Sequence, residues 1–139
     1  VIVLDSSFLI AYHNTRDVHH AAAARAMVHL IAGQWGRALL LEYVFLEVVT
    51  VLRTRRGLSL ASSVGGTLLA AREIDFLPCS DLFLEAFDEF RQQGMAQLSL
   101  VDAAILTVAR RSSPGFIASF DDDFRACEGA AVIPDATSP

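Results

Sequence analysis

The sequence predicts an α/β fold: a three-layer sandwich with a central, mainly parallel sheet of four to five strands flanked by helices. Three observations carry that expectation. Short continuous apolar runs, residues 1–4 being the first, have the form of strands buried on both faces. Longer segments with helical apolar rhythm lie between them, and strands alternating with helices at this pace imply a parallel sheet covered on both sides. The length, 139 residues, suits one domain with a real core and is too short for two. Residues 1–133 are expected to form that domain and residues 134–139 a flexible tail.

The elements follow in order. Ser6 and Ser7 are placed to cap a short helix through Tyr12, and Asp17 to cap a second over residues 18–32, stopped by Gly33. Residues 38–41 form the next strand. Apolar side chains at 44, 45, 48, 49, 51 and 52 predict a helix over 43–56 that Gly57 ends. Ser59 or Ser62 opens a helix to about Arg72, and 74–77 is a third strand closed by Pro78. Residues 81–93 predict an amphipathic helix with Leu82, Phe83, Phe87 and Phe90 turned to the core. Ser99 caps a helix over 100–111, 116–120 is a fourth strand, a single helical turn follows near Phe124, and 131–133 is a short last strand.

Composition narrows the function. No apolar run approaches the roughly 20 residues of a membrane span. The 53% apolar content therefore points to a well-filled core plus apolar surface reserved for a partner. The chain opens on a strand-like run rather than a secretory leader, its initial Val implying that an initiator Met is left out, and Cys79 and Cys127 stand alone. Reduced structural thiols and a cytoplasmic location are expected. The net charge of −5 argues against gripping nucleic acid by bulk positive charge. All eleven basic residues are arginine.

Among sixteen acids, four are out of place for mere solubility. Asp5 directly follows the first strand and Asp121 the fourth, at the carboxyl edge where α/β sites form. Glu47 sits among Phe45, Leu46, Val48 and Val49, so its carboxylate either faces a cleft or is buried at considerable cost unless paired. Asp102 stands in the first turn of a helix. Each also has a structural role available: a capping box with Ser99 for Asp102, turn hydrogen bonds for Asp5 and Asp121, an ion pair with Arg53 for Glu47. Together they point to a pocket where carboxylates repel and a divalent cation relieves them. Oxygen-only ligands favour Mg²⁺ or Mn²⁺ over zinc, one or two ions, and such a centre suits phosphoryl chemistry while reversing the local field for a polyanion.

These motifs carry a resemblance. Asp5-Ser6-Ser7-Phe8-Leu9-Ile10 looks like the opening motif of PIN-domain nucleases, Glu47 resembles their helix-borne glutamate, residues 98–104 their third acidic block, and residues 119–124 their last. Order, spacing and length are similar to the VapC-like toxin branch. The resemblance implies a PIN-like sandwich and a Mg²⁺- or Mn²⁺-dependent endoribonuclease, commonly a homodimer inhibited by a small antitoxin. It implies Asp5, Glu47, Asp102 and Asp121 as metal-binding, catalytic acids. Ser7 matches the small hydroxyl residue of the first motif, Ser119 stands where threonine is frequent, and Asp123 matches a second acid that either joins the site or caps the following turn.

Other features have two readings. Arg53, Arg55 and Arg56 end a helix, where positive charge suits the macrodipole, and the same cluster could hold RNA phosphates. His13, His19 and His20 look like a ligand group but lack a spaced fourth ligand, and the segment is more simply a helix start. Trp35, in a glycine-flanked loop, serves partner binding or packing. Three rival functions stand beside this one. Phosphoreceivers need a late lysine, which is absent, and dehalogenases need a second Asp where Ser7 stands. A silent binding module predicts a lost acid, and none is lost. A PIN nuclease in RNA processing without an antitoxin fits the same residues.

Overall fold

A computed structural model describes residues 1–135. Its five strands all run parallel: β1 (Ile2–Leu4), β2 (Ala38–Leu41), β3 (Ile74–Leu77), β4 (Phe116–Ala118) and β5 (Ala131–Ile133), in the order β3-β2-β1-β4-β5. Helices α1 (Ser6–His13), α2 (His20–Ile31), α3 (Glu42–Arg56), α4 (Leu58–Ala70), α5 (Phe83–Arg91) and α6 (Leu100–Ala109) flank it, and a 3₁₀ turn spans Asp122–Ala126. The α/β expectation holds, and the sheet is wholly rather than mainly parallel.

The topology decides where chemistry can sit. Strands β1, β2 and β3 build outward in one direction, and the chain then crosses to lay β4 on the other side of β1. That reversal opens a crevice beyond the carboxyl ends of β1 and β4, the ordinary ligand position in open parallel sheets. Central β1 is wholly buried with Leu9, Leu40, Ile105 and Ile117, whereas edge strand β3 leaves Phe76 exposed. Gly115 makes the turn into β4 possible, because a Cβ there would lie 2.0 Å from the Ala109 carbonyl oxygen. Gly57, at φ 102°, reverses the chain between α3 and α4 in a conformation that side-chain-bearing residues avoid.

Several local expectations are corrected. Ser6 and Ser7 do not cap α1; Asp5 is its N-cap residue, and both hydroxyls turn toward acids instead. The second helix starts at His20, with His19 as N-cap. Asp17 accepts from the His19 N–H at 2.8 Å, so it closes a turn before the helix and leaves Val18 in solvent. Helix α4 starts directly after Gly57 and stops at Ala70, short of Arg72.

Helix α5 is shorter than residues 81–93 and only partly faces the core. Leu82 and Ala86 are buried, while Phe83 and Phe87 are exposed and Phe90 is half-buried. Packing of α5 on α6 accommodates one narrow stripe, and the wider aromatic face spills past it, where the Arg91 guanidinium lies 5.1 Å from the Phe87 ring centre. Gln93 lies beyond the helix and ties the loop instead, donating to the carbonyls of Phe90 and Leu98. Trp35 is buried and edge-on to His29, which settles it as packing. The flexible-tail expectation falls mostly outside the described residues; within them, the Pro134 carbonyl accepts from Arg125 at 2.7 Å. No helix among the described residues is long and apolar enough to cross a membrane.

Candidate active site at the β1–β4 crevice

Asp5 is the anchor. Its backbone N–H donates to the Ala118 carbonyl at 3.0 Å, which ties the end of β1 to β4, and its side chain is almost wholly buried at 4% exposure. Oδ2 accepts from both the Ser7 and Ser119 hydroxyls, each at 2.6 Å. The strand ends hold this cluster together: Ser119 follows β4, its oxygen also accepts from the Asp121 N–H at 2.9 Å, and Ser7 accepts from the Phe120 N–H at 3.0 Å. Burial pushes the Asp5 carboxyl above its ordinary range and the Glu47 charge adds to it, while the two serine hydroxyls oppose the shift.

Glu47 stands on the other wall. It projects from α3, is exposed, and accepts from the Ser6 hydroxyl at 2.6 Å. The cleft reading of its apolar neighbourhood is therefore the right one, and the suggested pair with Arg53 does not form. Ser6 is a contact that sequence reasoning assigned to capping; nothing in an Asp-Ser-Ser run distinguishes the two roles.

Asp102 lies in the first turn of α6 in a full capping box: its carboxylate accepts from the Ser99 N–H at 3.0 Å, and the Ser99 hydroxyl accepts from its N–H at 3.1 Å. The structural role does not exhaust it. Its carboxyl is pushed up to about 6, first by burial and then by the charges of Asp5 and Asp121, so it senses acids from two strand ends. Asp121 caps the 3₁₀ turn by accepting from the Asp123 N–H at 2.9 Å, so the capping role considered for Asp123 belongs to Asp121. Asp123 is half-buried, its carboxyl raised by desolvation and by Asp121, whereas Asp122 is exposed beside Arg125.

The predicted acids are thus linked in two degrees rather than gathered into one tight cluster. Asp5, Ser7 and Ser119 share hydrogen bonds, and Asp121 joins them through the Ser119 hydroxyl. Glu47 and Asp102 are coupled to the group by charge. Among the described residues, no three His, Cys, Asp or Glu side chains are gathered tightly enough to be a ready-made metal cage.

Of the arginines, Arg55 lines a cavity of about 240 Å³ with Ser6, Ser7, Glu47, Asp17 and His19. Arg56 instead donates to Asn14 Oδ1 at 2.6 Å, and Arg53 is exposed and does not line that cavity. The histidines separate: His20 Nδ1 is 2.8 Å from the Ala11 carbonyl, His13 meets Tyr12 edge-on, and His19 stacks on Phe120.

The PIN-domain family model matches residues 2–129, nearly the whole described chain. The chain belongs to the PIN-domain family. VapC ribonuclease of Archaeoglobus fulgidus is 26% identical over 54 residues, covering 39% of this chain and 35% of that protein; the chain thus matches about a third of that relative's length. Among solved structures, VapC20 of Mycobacterium tuberculosis, a toxin that cleaves the sarcin-ricin loop, superposes with a TM-score of 0.79 at 25% identity, covering 93% of this chain and 96% of that one. VapBC2 of Rickettsia felis, solved with a DNA fragment of its promoter, gives 0.66 at 12% identity over 94% and 96% of the two chains, a likeness of fold alone.

Proposed function

We propose that this PIN domain is a metal-dependent endoribonuclease, the toxin of a toxin–antitoxin pair, acting on single-stranded or loop RNA. The observation that carries the reading is the hydrogen-bonded cluster at the ends of β1 and β4, where Ser7 and Ser119 both donate to Asp5 and the Asp121 N–H donates to that same Ser119 oxygen, with Glu47 held beside it by Ser6. Asp5, Glu47, Asp102 and Asp121 would hold one or two Mg²⁺ or Mn²⁺ ions; PIN nucleases generally use divalent ions. The donor set fits: all ligands are hard oxygens, and two of the carboxyls are raised, Asp5 by burial and then the Glu47 charge, Asp102 by burial and then the charges of Asp5 and Asp121, a strain that a divalent charge relieves. A divalent ion supplies Lewis acidity toward the scissile phosphate and activates water at neutral pH.

The chain's own groups set the geometry. Ser7 and Ser119 hold the Asp5 carboxylate in one orientation, as outer hydrogen-bond partners of a metal ligand do. Ser6 does the same, more loosely, for Glu47. Asp102 and Asp121 keep their backbone caps while presenting charge to the crevice. Water adds to phosphorus, the bond from phosphorus to the 3′-oxygen breaks, and that oxygen takes up a proton, leaving a 3′-hydroxyl and a 5′-phosphate. Unstacked RNA reaches such a recessed crevice more readily than a duplex does.

The protein would work in the cytoplasm as a homodimer, silenced by an antitoxin. Exposed Val28, Ile31, Leu46 and Leu69, and an apolar groove between α2 and α4 lined by Met27, Leu30 and Leu68, supply surface that an isolated chain leaves wet. The identity of the toxin in the sarcin-ricin-loop relative supports the same role.

The test is cleavage of fluorescent RNA with Mg²⁺, Mn²⁺ or chelator. Asp5→Asn and Asp102→Asn should each lower the rate at least about a hundredfold, since several kcal/mol of charge stabilisation is lost. Their melting temperatures in chelator should be unchanged or higher, because a desolvated charge is removed. Wild-type cleavage rates in either variant would end the assignment.

A further inference from the structure

Beside the acid crevice, three rings form a ladder from the core to the surface. Phe8 is fully buried, Phe120 stacks on it with centres 6.0 Å apart and planes at 18°, and His19 stacks on Phe120 at 4.4 Å and 6°. The ladder is bolted to the acids at its middle rung. Phe120 directly precedes Asp121, and its N–H donates to the Ser7 hydroxyl that itself donates to Asp5. At the outer rung, the His19 backbone is pinned by the Asp17 carboxylate at 2.8 Å. His19 is exposed, so the ring face away from Phe120 is open. Among the described residues its ring makes no hydrogen bond, unlike that of His20. Across the cavity that His19 lines stands Arg55, which among the described residues has no hydrogen-bond or ion-pair partner.

We infer that His19 and Arg55 form a nucleotide subsite beside the scissile phosphate: one unstacked RNA base lies on the open face of His19, and a neighbouring phosphate pairs with Arg55. The inference rests on the ribonuclease reading and deepens it by assigning residues to substrate binding. A ring held at a fixed plane by a stack rooted in the core loses little freedom when a base lands on it, which is what a stacking platform needs. Every base has a flat face, so the platform tolerates sequence while fixing which nucleotide is held beside the acids. Arg55 stands beside Glu47 in an otherwise acidic protein, where a single guanidinium can still seat a phosphate by two parallel hydrogen bonds. Arg56, committed to Asn14, and Arg53, which does not line the cavity, do not share this role.

The experiment uses the full chain and a short single-stranded RNA of mixed sequence carrying a fluorophore and quencher, with Mg²⁺ or Mn²⁺. His19→Ala should raise KM about tenfold, the scale of one lost base stack, with kcat within about twofold of wild type. His19→Phe restores the flat face and should return KM to near the wild-type value. Arg55→Ala should raise KM and flatten its salt dependence. Abasic substitution scanned along a cleaved RNA should find one position at which wild type and His19→Ala become alike. The subsite is overturned if His19→Ala leaves KM unchanged, if kcat falls instead with KM intact, or if Phe fails to rescue while the melting temperature is that of wild type. Wild type cutting RNA, with Asp5→Asn inactive and His19→Ala normal, sinks the subsite alone. Wild type cutting no RNA sinks the ribonuclease reading and the subsite with it.

Discussion

Asp5 and Glu47 face one crevice, and each accepts a 2.6 Å hydrogen bond from a serine, yet they live in different physical worlds. Asp5 is enclosed at the end of the central strand, with two hydroxyls on one oxygen and its carboxyl raised by burial. Glu47 rides an exposed turn of α3 with one hydroxyl partner. The buried wall carries the electrostatic strain and fixes position. The open wall, with Arg55 and His19 beside it, is where a substrate can arrive. On the proposed nuclease reading, rigid ligation and accessible binding would be divided between strand ends and helix surfaces.

The sharpest way to break that division is on the buried side. Ser119→Ala removes a hydroxyl that is fully buried, donates to Asp5 and accepts from the Asp121 N–H. Losing both should cost about 1–3 kcal/mol of stability, measurable by denaturant melts, because two buried polar groups are left short of a partner. Activity or metal affinity should fall about 10- to 100-fold, the usual consequence of deleting an outer partner of a metal ligand. Ser119→Thr keeps the hydroxyl and should retain most of both. An inert Ser119→Ala would mean that the hydroxyls do not position Asp5.

Acid titration sharpens the comparison next. Asp102 is raised from an ordinary 3.8 to about 6, and Asp5 is raised as well. The metal-free native protein therefore holds protons that the unfolded chain has released. The stability this contributes is fully present below about pH 4 and is lost as the pH rises through about 6. In chelator, the melting temperature should decline over that window. Metal binding needs the ionised form, so stabilisation by Mg²⁺ and the cleavage rate should both rise across it. A melting temperature in chelator that climbs from pH 4 to pH 6 would contradict the buried-acid account.

How much of this was legible beforehand follows the same division. The strand ends were readable because a buried parallel strand leaves a continuous apolar run, and the first polar residue after it, Asp5 after Leu4, stands at the sheet's carboxyl edge. The box at Ser99 and Asp102 was readable from its spacing and formed as expected. The helix surfaces were not. Phe83 and Phe87 have core-like spacing, but α6 accepts only the stripe through Leu82 and Ala86, and the width of a partner's groove leaves no mark on a helix's own sequence. Asp17-Val18-His19-His20 has the pattern of a helix start. The stack of His19 on Phe120 joins positions a hundred residues apart, which local pattern does not encode.

The smallest effect belongs to the open wall. Ser6→Ala removes the one hydroxyl on Glu47, but an exposed carboxylate takes water in its place, so the acid keeps its charge and most of its reach. The rate should fall only about two- to fivefold, the net worth of an ordinary hydrogen bond, and the melting temperature should barely move. Placed beside Ser119→Ala, this variant measures what enclosure adds, since the two hydroxyls make bonds of equal length to carboxylates of one site. If the two substitutions cost the same, burial contributes nothing to positioning and the contrast between the walls is merely geometric. If Ser6→Ala costs more, Glu47 is the acid that must be held, and the wall exposed in the free protein becomes ordered only when substrate or metal arrives.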